Sequence, residues 1–287
     1  MTEVLNSPPT AARTTVRTTA ATAPVRRHVD RLGRAALAVP VPVLALTLWQ
    51  VAVRQGWVAN LPAPGDVGRS ALDLLQGGSA FGSTLGLHIL ASAERVGIGF
   101  GIACLVAVPL GVLMGRSALV SRMLDLMISL LRPIPVTAWA PLMVVIVGIG
   151  SKSAIVLIVI AGFFPVLLNT IAGVKAVPPR LLEAAAMLGT GRHRALWKVV
   201  LPAAAPNVFA GMRIGLGFCW VVLVVGETVG VQTGLGALIT QAWQVSRTEL
   251  IIVGMLTIGL AGYLSDRSMT LTLRLLLRGR PLLGGHR

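Results

Sequence analysis

Charged side chains are scarce. Only 12% of the 287 residues are Asp, Glu, Lys or Arg, while 55% are hydrophobic; a soluble domain carries about 25% charged residues. Too little polar surface is left to cover a water-soluble core. The composition therefore excludes a soluble globular protein and calls for a bilayer as solvent. Acids are scarcer still: 10 against 25 Lys and Arg, a formal net charge of +15. That excess raises nucleic acid as a partner, but aromatics are only 5%, too few for base-stacking platforms. Cysteine is nearly missing. Cys104 and Cys219 lie in separate apolar runs, which gives neither a disulfide framework nor a zinc spacing; both read as small buried hydrophobes.

Catalytic patterns are missing too. A P-loop needs G-x-x-x-x-G-K-[ST], and no Gly-Lys pair occurs anywhere. "GIGSKS" at 148–153 has Ser151 where the Gly before Lys152 would stand. His28, His88, His193 and His286 are isolated in sequence. No nucleophile, acid–base or metal constellation is visible, so the chain is expected to be no enzyme and to bind no cofactor or metal.

What is there is a series of apolar runs near the roughly 20 residues a spanning helix needs. Six spans are expected: Ala35–Val53, Val96–Gly115, Pro133–Ser151 (with a helix start as early as Asp125), Ser153–Val174, Asn207–Glu227 and Leu250–Leu271. Residues 1–34, rich in Thr, Ala, Pro and Arg, read as a disordered tail, in preference to an organelle transit peptide. Residues 35–87 hold the first span and an external segment, 88–272 the main membrane domain, and 273–287 a basic tail. Residues 228–246 are too polar and Gly-rich for a span and read as a loop with a short interfacial helix near the outer mouth.

The distribution of basic residues orients this array. With the N-terminus in the cytoplasm, seventeen Lys and Arg fall inside: six in the tail from Arg13 to Arg34, then Arg116, Arg122, Lys175, Arg180, Arg192, Arg194, Lys198, Arg274, Arg278, Arg280 and Arg287. Only Arg54, Arg69, Lys152 and Arg247 fall outside. Both termini are then cytoplasmic, the +15 is orientation charge, and nucleic acid is dropped as a partner.

The cytoplasmic segment 175–206 is sharply punctuated. Pro178 and Pro179 suit a first helical turn, "RLLEAAAML" supplies good helix formers, and Gly189 stands where a helix end needs a positive φ. Thr190 is placed to cap a second helix through "RHRALWKVV", ending at Pro202. Two short helices joined by a tight turn are expected, with Ala184 to Ala186 forming a low-relief surface open to another protein. An amphipathic loop lying on lipid headgroups is the alternative.

Glu183, Ala184, Ala185, Gly189, Val199, Leu201 and Pro202 fit the pattern E-A-A, three residues, G, nine residues, I-x-L-P, with Val199 in place of Ile. This resembles the EAA loop of ABC importer permeases. "LPAP", "LLRPIPVTAWAPLMVVIVGIG", "FFPVLLNTIAGVKAVPPRLLEAAAMLG", "GMRIGLGFCWVVLVVGE" and "TGLGALI" are similar to the aliphatic sulfonate, taurine and nitrate branch, across about residues 35–275. The resemblance implies an all-α type I ABC importer permease fold in the cell membrane of a prokaryote. It implies a cytoplasmic ABC ATPase dimer that hydrolyses ATP, an extracytoplasmic substrate-binding protein, and a second permease subunit, expected to be a second copy. Glu183, Ala184, Ala185, Gly189, Leu201 and Pro202 would form the docking loop, with Leu181, Leu188 and Leu196 as apolar contacts.

Charges inside spans remain. Arg213 and Glu227 bound thirteen uncharged residues, about 20 Å of helix, so at least one lies at membrane depth or snorkels. Intramembrane ions usually face a bundle interior or an aqueous path. Arg95, Arg132, Arg213 and Glu227 are therefore candidates for a path or gate, with structural ion pairing as the alternative. A small anionic solute, aliphatic sulfonate first, then nitrate or taurine, is the expected cargo. A secondary transporter, the rival class, would be expected to carry internal repeats, and none is visible between residues 35–150 and 151–271.

Overall fold

The computed structural model describes residues 40–58 and 61–276, with side chains up to 272. The tail expected over 1–34, the beginning of the first span, His28, His286 and the end of the basic tail lie outside the described residues. The chain divides into two units, Met1–Trp57 and Val58–Arg287. In the first, α1 (Pro40–Arg54) is an apolar helix of 15 residues.

The second unit is helical apart from a small hairpin, β1 (Ser79–Ala80) with β2 (Ser83–Thr84). In order come α2 (Pro64–Leu75), α3 (Leu85–Arg116), α4 (Ala118–Leu131), a 3-10 turn (Val136–Trp139), α5 (Ala140–Val147), α6 (Ser151–Lys175), α7 (Pro179–Met187) and α8 (Arg192–Ala195). A π turn (Leu196–Val200) leads into α9 (Leu201–Glu227), followed by α10 (Leu235–Gln244) and α11 (Thr248–Leu276). Local chemistry sets several starts. The Thr84 hydroxyl accepts from the Leu87 N–H at 3.4 Å, and the Ser117 hydroxyl accepts from the Val120 N–H at 3.4 Å, as N-caps do.

Among the described residues, four helices are long and apolar enough to cross a membrane, or five if α4 and the segment 136–147 count together. The third expected span is therefore not one straight helix. α4, where the early start at Asp125 falls, meets the segment 136–147 at 86°: Arg132 is still helical, but Pro133 and Pro135 bring no N–H to continue the helix, and Pro135 is extended, with ψ 133°. Pro109, Pro165 and Pro206 sit inside α3, α6 and α9 without ending them, as neighbouring helices allow in a membrane bundle.

The core is α6, held between α3 and α9 by glycine contacts. A Cβ on Gly111 would stand 2.7 Å from Thr170 Cβ, and one on Gly115 2.6 Å from Val174 Cβ. On α9, a Cβ on Gly211 would approach Asn169 and one on Gly215 would approach Gly162 and Val166. Gly97 and Gly101, spaced like those pairs, meet nothing within 4 Å in this chain. The contact pairs run in step along α3 and α6 and in reverse along α9, so α3 and α6 are parallel and α9 is antiparallel. The hairpin, the 148–150 turn and the 228–234 loop consequently share one end of the bundle. The segment 176–200 lies at the other.

Candidate functional site

The segment expected to dock a partner folds as two short helices with a left-handed turn between them. Gly189 has φ +72°. Its N–H bonds the Ala186 carbonyl at 2.9 Å and the Thr190 N–H bonds the Ala185 carbonyl at 2.9 Å, the pair of bonds of a Schellman ending. Thr190 does not cap the second helix; Gly191 holds that position, with no side-chain bond. Nor does the second helix stop at Pro202. A run of 36 residues, Arg192–Glu227, continues through it. The π turn Leu196–Val200 widens the helix where the Pro202 ring would press on the preceding turn, so the proline is accommodated instead of ending the helix.

The side chains of this segment divide by direction. Leu196 and Leu201 pack, with Leu182, on the buried cluster of Val112, Val174, Val177, Val200, Ala204 and Val208, and Ala185 is buried. They anchor the segment and are turned from solvent. Pro202 is half-buried at the start of α9. Outward-facing are Leu181, Glu183, Ala184 and Gly189, together with Met187 and Leu188, each 84% exposed. Met187 and Trp197, the latter also exposed, were not apparent as contact residues. The signal for Met187 was available in its position one residue before Leu188 at the helix end.

The charged residues inside the helices form two separate clusters. At the end opposite segment 176–200, Glu227 is fully buried, and its Oε1 accepts from Arg95 Nη1 at 2.6 Å. Ser92 Oγ donates to the same carboxylate at 2.8 Å, and the Gly236 N–H donates to Oε2 at 2.7 Å. Ser92 Oγ in turn accepts from the Leu235 N–H at 2.8 Å. An anion thus sits on the first turn of α10, where backbone donors have no helical partner. His88, buried beside it, has Nδ1 within 2.8 Å of the Gly234 carbonyl. His88, Ser92 and Arg95 lie on one face of α3, at i, i+4 and i+7. Arg95 and Glu227 therefore tie α3, α9 and α10 together.

The second cluster joins α9 to α11. Arg213 forks onto Asp266, Nε to Oδ1 at 2.6 Å and Nη2 to Oδ2 at 2.8 Å. The pair borders a cavity of about 720 Å3 between α9, α10 and α11, lined mainly by apolar side chains. Asp266 was missed in the sequence, although an acid in the last apolar run needs a partner at that depth. Arg213 and Glu227 do not meet. Arg132 is exposed and borders a separate cavity of about 380 Å3 with Asp125 and Ser129.

With this geometry in view, likeness to known proteins decides the class. Residues 107–278 match the model of the binding-protein-dependent transport system inner membrane component. The chain belongs to that family. This permease is 40% identical to a protein of Methanocaldococcus jannaschii assigned as an ABC transporter permease, over 81% of this chain and 88% of that one. It is 35% identical to the taurine transport system permease protein of Escherichia coli (80% and 84% covered), and 34% identical to a Bacillus subtilis protein assigned as the aliphatic sulfonates transport permease (84% and 86%). A structure of the MetNI methionine ABC transporter, inward facing, shares the fold at TM-score 0.51 and 23% identity, over 63% of this chain and 94% of that chain. The permease is thus a multi-pass inner-membrane subunit of an ABC transporter and not its ATPase. It works with an ATPase and a binding protein.

Proposed function

We propose that this permease forms the transmembrane path of an importer for a small anionic solute, an aliphatic sulfonate first, with taurine or nitrate as the nearest alternatives. The names of two relatives, one for taurine and one for aliphatic sulfonates, support a small sulfonate as the class of solute. The chain itself binds no ATP; a cytoplasmic ATPase dimer supplies the energy, a substrate-binding protein delivers the solute from outside, and two copies of the permease enclose the path. Both termini are cytoplasmic.

The observation that carries the coupling role is the outward face of α7 and its turn. Met187 and Leu188 are almost fully exposed at a helix end, while Leu182, Leu196 and Leu201 fasten the same segment to the bundle. A rigidly mounted apolar tip with Glu183 beside it suits a groove on a soluble partner. ATP-driven closure of that partner moves the tip, and its anchoring transmits the motion to α6 and α9.

The cargo is tested by growth of a deletion strain on single sulfur or nitrogen sources. A defect on alkanesulfonates, rescued by sulfate and by the intact gene, supports the reading. Normal growth on sulfonates with a defect on nitrate transfers the role to nitrate.

A further inference from the structure

We infer that the end of the bundle carrying segment 176–200 holds a site for the phosphate of an anionic phospholipid, between Arg116, Arg122 and Lys175. The ligand is a membrane lipid and not the transported solute, so the site is independent of the cargo.

Packing brings the cations together. α3 ends at Arg116 and α6 ends at Lys175. One residue earlier in each helix, Gly115 meets Val174: a Cβ on Gly115 would stand 2.6 Å from Val174 Cβ. No side chain holds the two helix ends apart. α4 begins at Ala118, directly after this end of α3, and its second turn adds Arg122. The three cations line one cavity of about 350 Å3, within the size range of small-molecule sites. Ser121 lines it too and is buried. Its Oγ accepts from Lys175 Nζ at 3.5 Å and donates to Asp125 Oδ2 at 3.0 Å, which holds the lysine at the cavity. Asp125 itself borders the other cavity, with Arg132.

The charges are unbalanced. Among the described residues, none of the three cations forms an ion pair, and no acid lines the cavity. Like charges gathered at one place repel. The helix dipole accounts for Arg116 and Lys175, each in a last turn, where a cation is favoured. It does not account for Arg122, which stands near the start of α4, the end that favours an anion. An anion bound among the three relieves the repulsion, and a guanidinium matches phosphate oxygens with two parallel hydrogen bonds.

The surroundings select a lipid over a free anion. Met114 and Ala118 line the cavity, and their neighbours in sequence, Leu113 and Leu119, are exposed. Met123, Leu126 and Leu130, exposed as well, continue the Leu119 stripe along α4. An apolar surface thus begins beside a basic cavity. In the proposed topology this end faces the cytoplasmic leaflet, where basic pockets between spanning helices take anionic headgroups. The phosphate sits among the cations, and the acyl chains run along Leu113 and the α4 stripe.

The test is lipid titration of the purified full complex in detergent, read by native mass spectrometry, with phosphatidylglycerol, phosphatidylcholine and inorganic phosphate as probes. Phosphatidylglycerol is expected to stay bound; phosphatidylcholine, whose phosphate is balanced by its own ammonium, is not. Arg122→Gln and Lys175→Gln are each expected to lower the affinity for phosphatidylglycerol about tenfold, the loss of one charge-assisted contact. Arg194→Gln, the same loss of charge at the same end but outside the cavity, should leave it unchanged. Arg122 and Lys175 are exposed, so both variants are expected to assemble, and copurified ATPase reports it. Equal retention of the two lipids by the wild type overturns the site, whether or not the variants assemble. A loss in Arg194→Gln as large as in Arg122→Gln overturns it too, because diffuse charge would then hold the lipid. Displacement of phosphatidylglycerol by millimolar inorganic phosphate transfers the cavity to a free anion and overturns the lipid assignment.

Discussion

The guanidinium of Arg95 meets the carboxylate of Glu227 at 2.6 Å in a site where the acid has no solvent exposure. Ser92 and the first turn of α10 complete its hydrogen bonds. A buried carboxylate held by a cation, a hydroxyl and a backbone N–H is fully used, so it fixes structure. Gly234 stands so close that a Cβ there would collide with the Glu227 carboxylate. Removing one partner of a buried pair typically costs about 3–5 kcal/mol, while replacing both by apolar groups is often neutral. Arg95→Met alone is therefore expected to lower the unfolding temperature strongly, and Arg95→Met with Glu227→Leu to recover part of the loss. Thermal unfolding in detergent, read by a thiol-reactive fluorophore at buried Cys219 with Cys104 replaced by Ser, checks this. Equal midpoints for the single variant and the wild type would contradict the bracing role.

Helix packing gives a second prediction. Gly115→Ala places a methyl 2.6 Å from Val174 Cβ, whereas Gly101→Ala meets nothing within 4 Å. Overpacking costs about 1–3 kcal/mol, and Ala in an open helical site gains up to about 1 kcal/mol over Gly. The same unfolding assay should show Gly115→Ala destabilised and Gly101→Ala unchanged or stabilised. The reverse order would contradict the α3–α6 contact.

Topology gives a third. Lys152→Cys and Arg192→Cys, each in a background without Cys104 and Cys219, should react with a membrane-impermeant maleimide from opposite sides, position 152 from outside and position 192 only from inside. External labelling at position 192 would reverse the assignment.

Much of this was legible in the sequence, for identifiable reasons. Apolar length marked α3, α6, α9 and α11, because hydrocarbon thickness constrains composition directly. Gly189 was legible because a helix ending needs a left-handed residue. The 86° break at residues 132–135 was not resolved, although its prolines were in plain view; hydropathy runs straight across them. The partners of Arg95 and Arg213 were hidden as well. Pairings separated by 132 and 53 residues depend on which helices lie side by side, and no local period records that. Thr190 failed as a cap because Gly191 adopts the extended conformation instead, a choice made by the geometry of the preceding turn.

Coupling is the central claim, and the turn at Gly189 tests it most directly. Its φ of +72° costs a residue with a Cβ about 1–2 kcal/mol, more for Val. The site itself is open, with nothing within 4 Å of an added Cβ, so the bundle should tolerate the change while the exposed tip is displaced. The measurement is solute-stimulated ATP hydrolysis, with uptake followed in parallel, in the reconstituted complex bearing Gly189→Val or Glu183→Lys. The account predicts variants that insert and unfold like the wild type but lose stimulation and uptake together. Full stimulation and full uptake in both variants would contradict it.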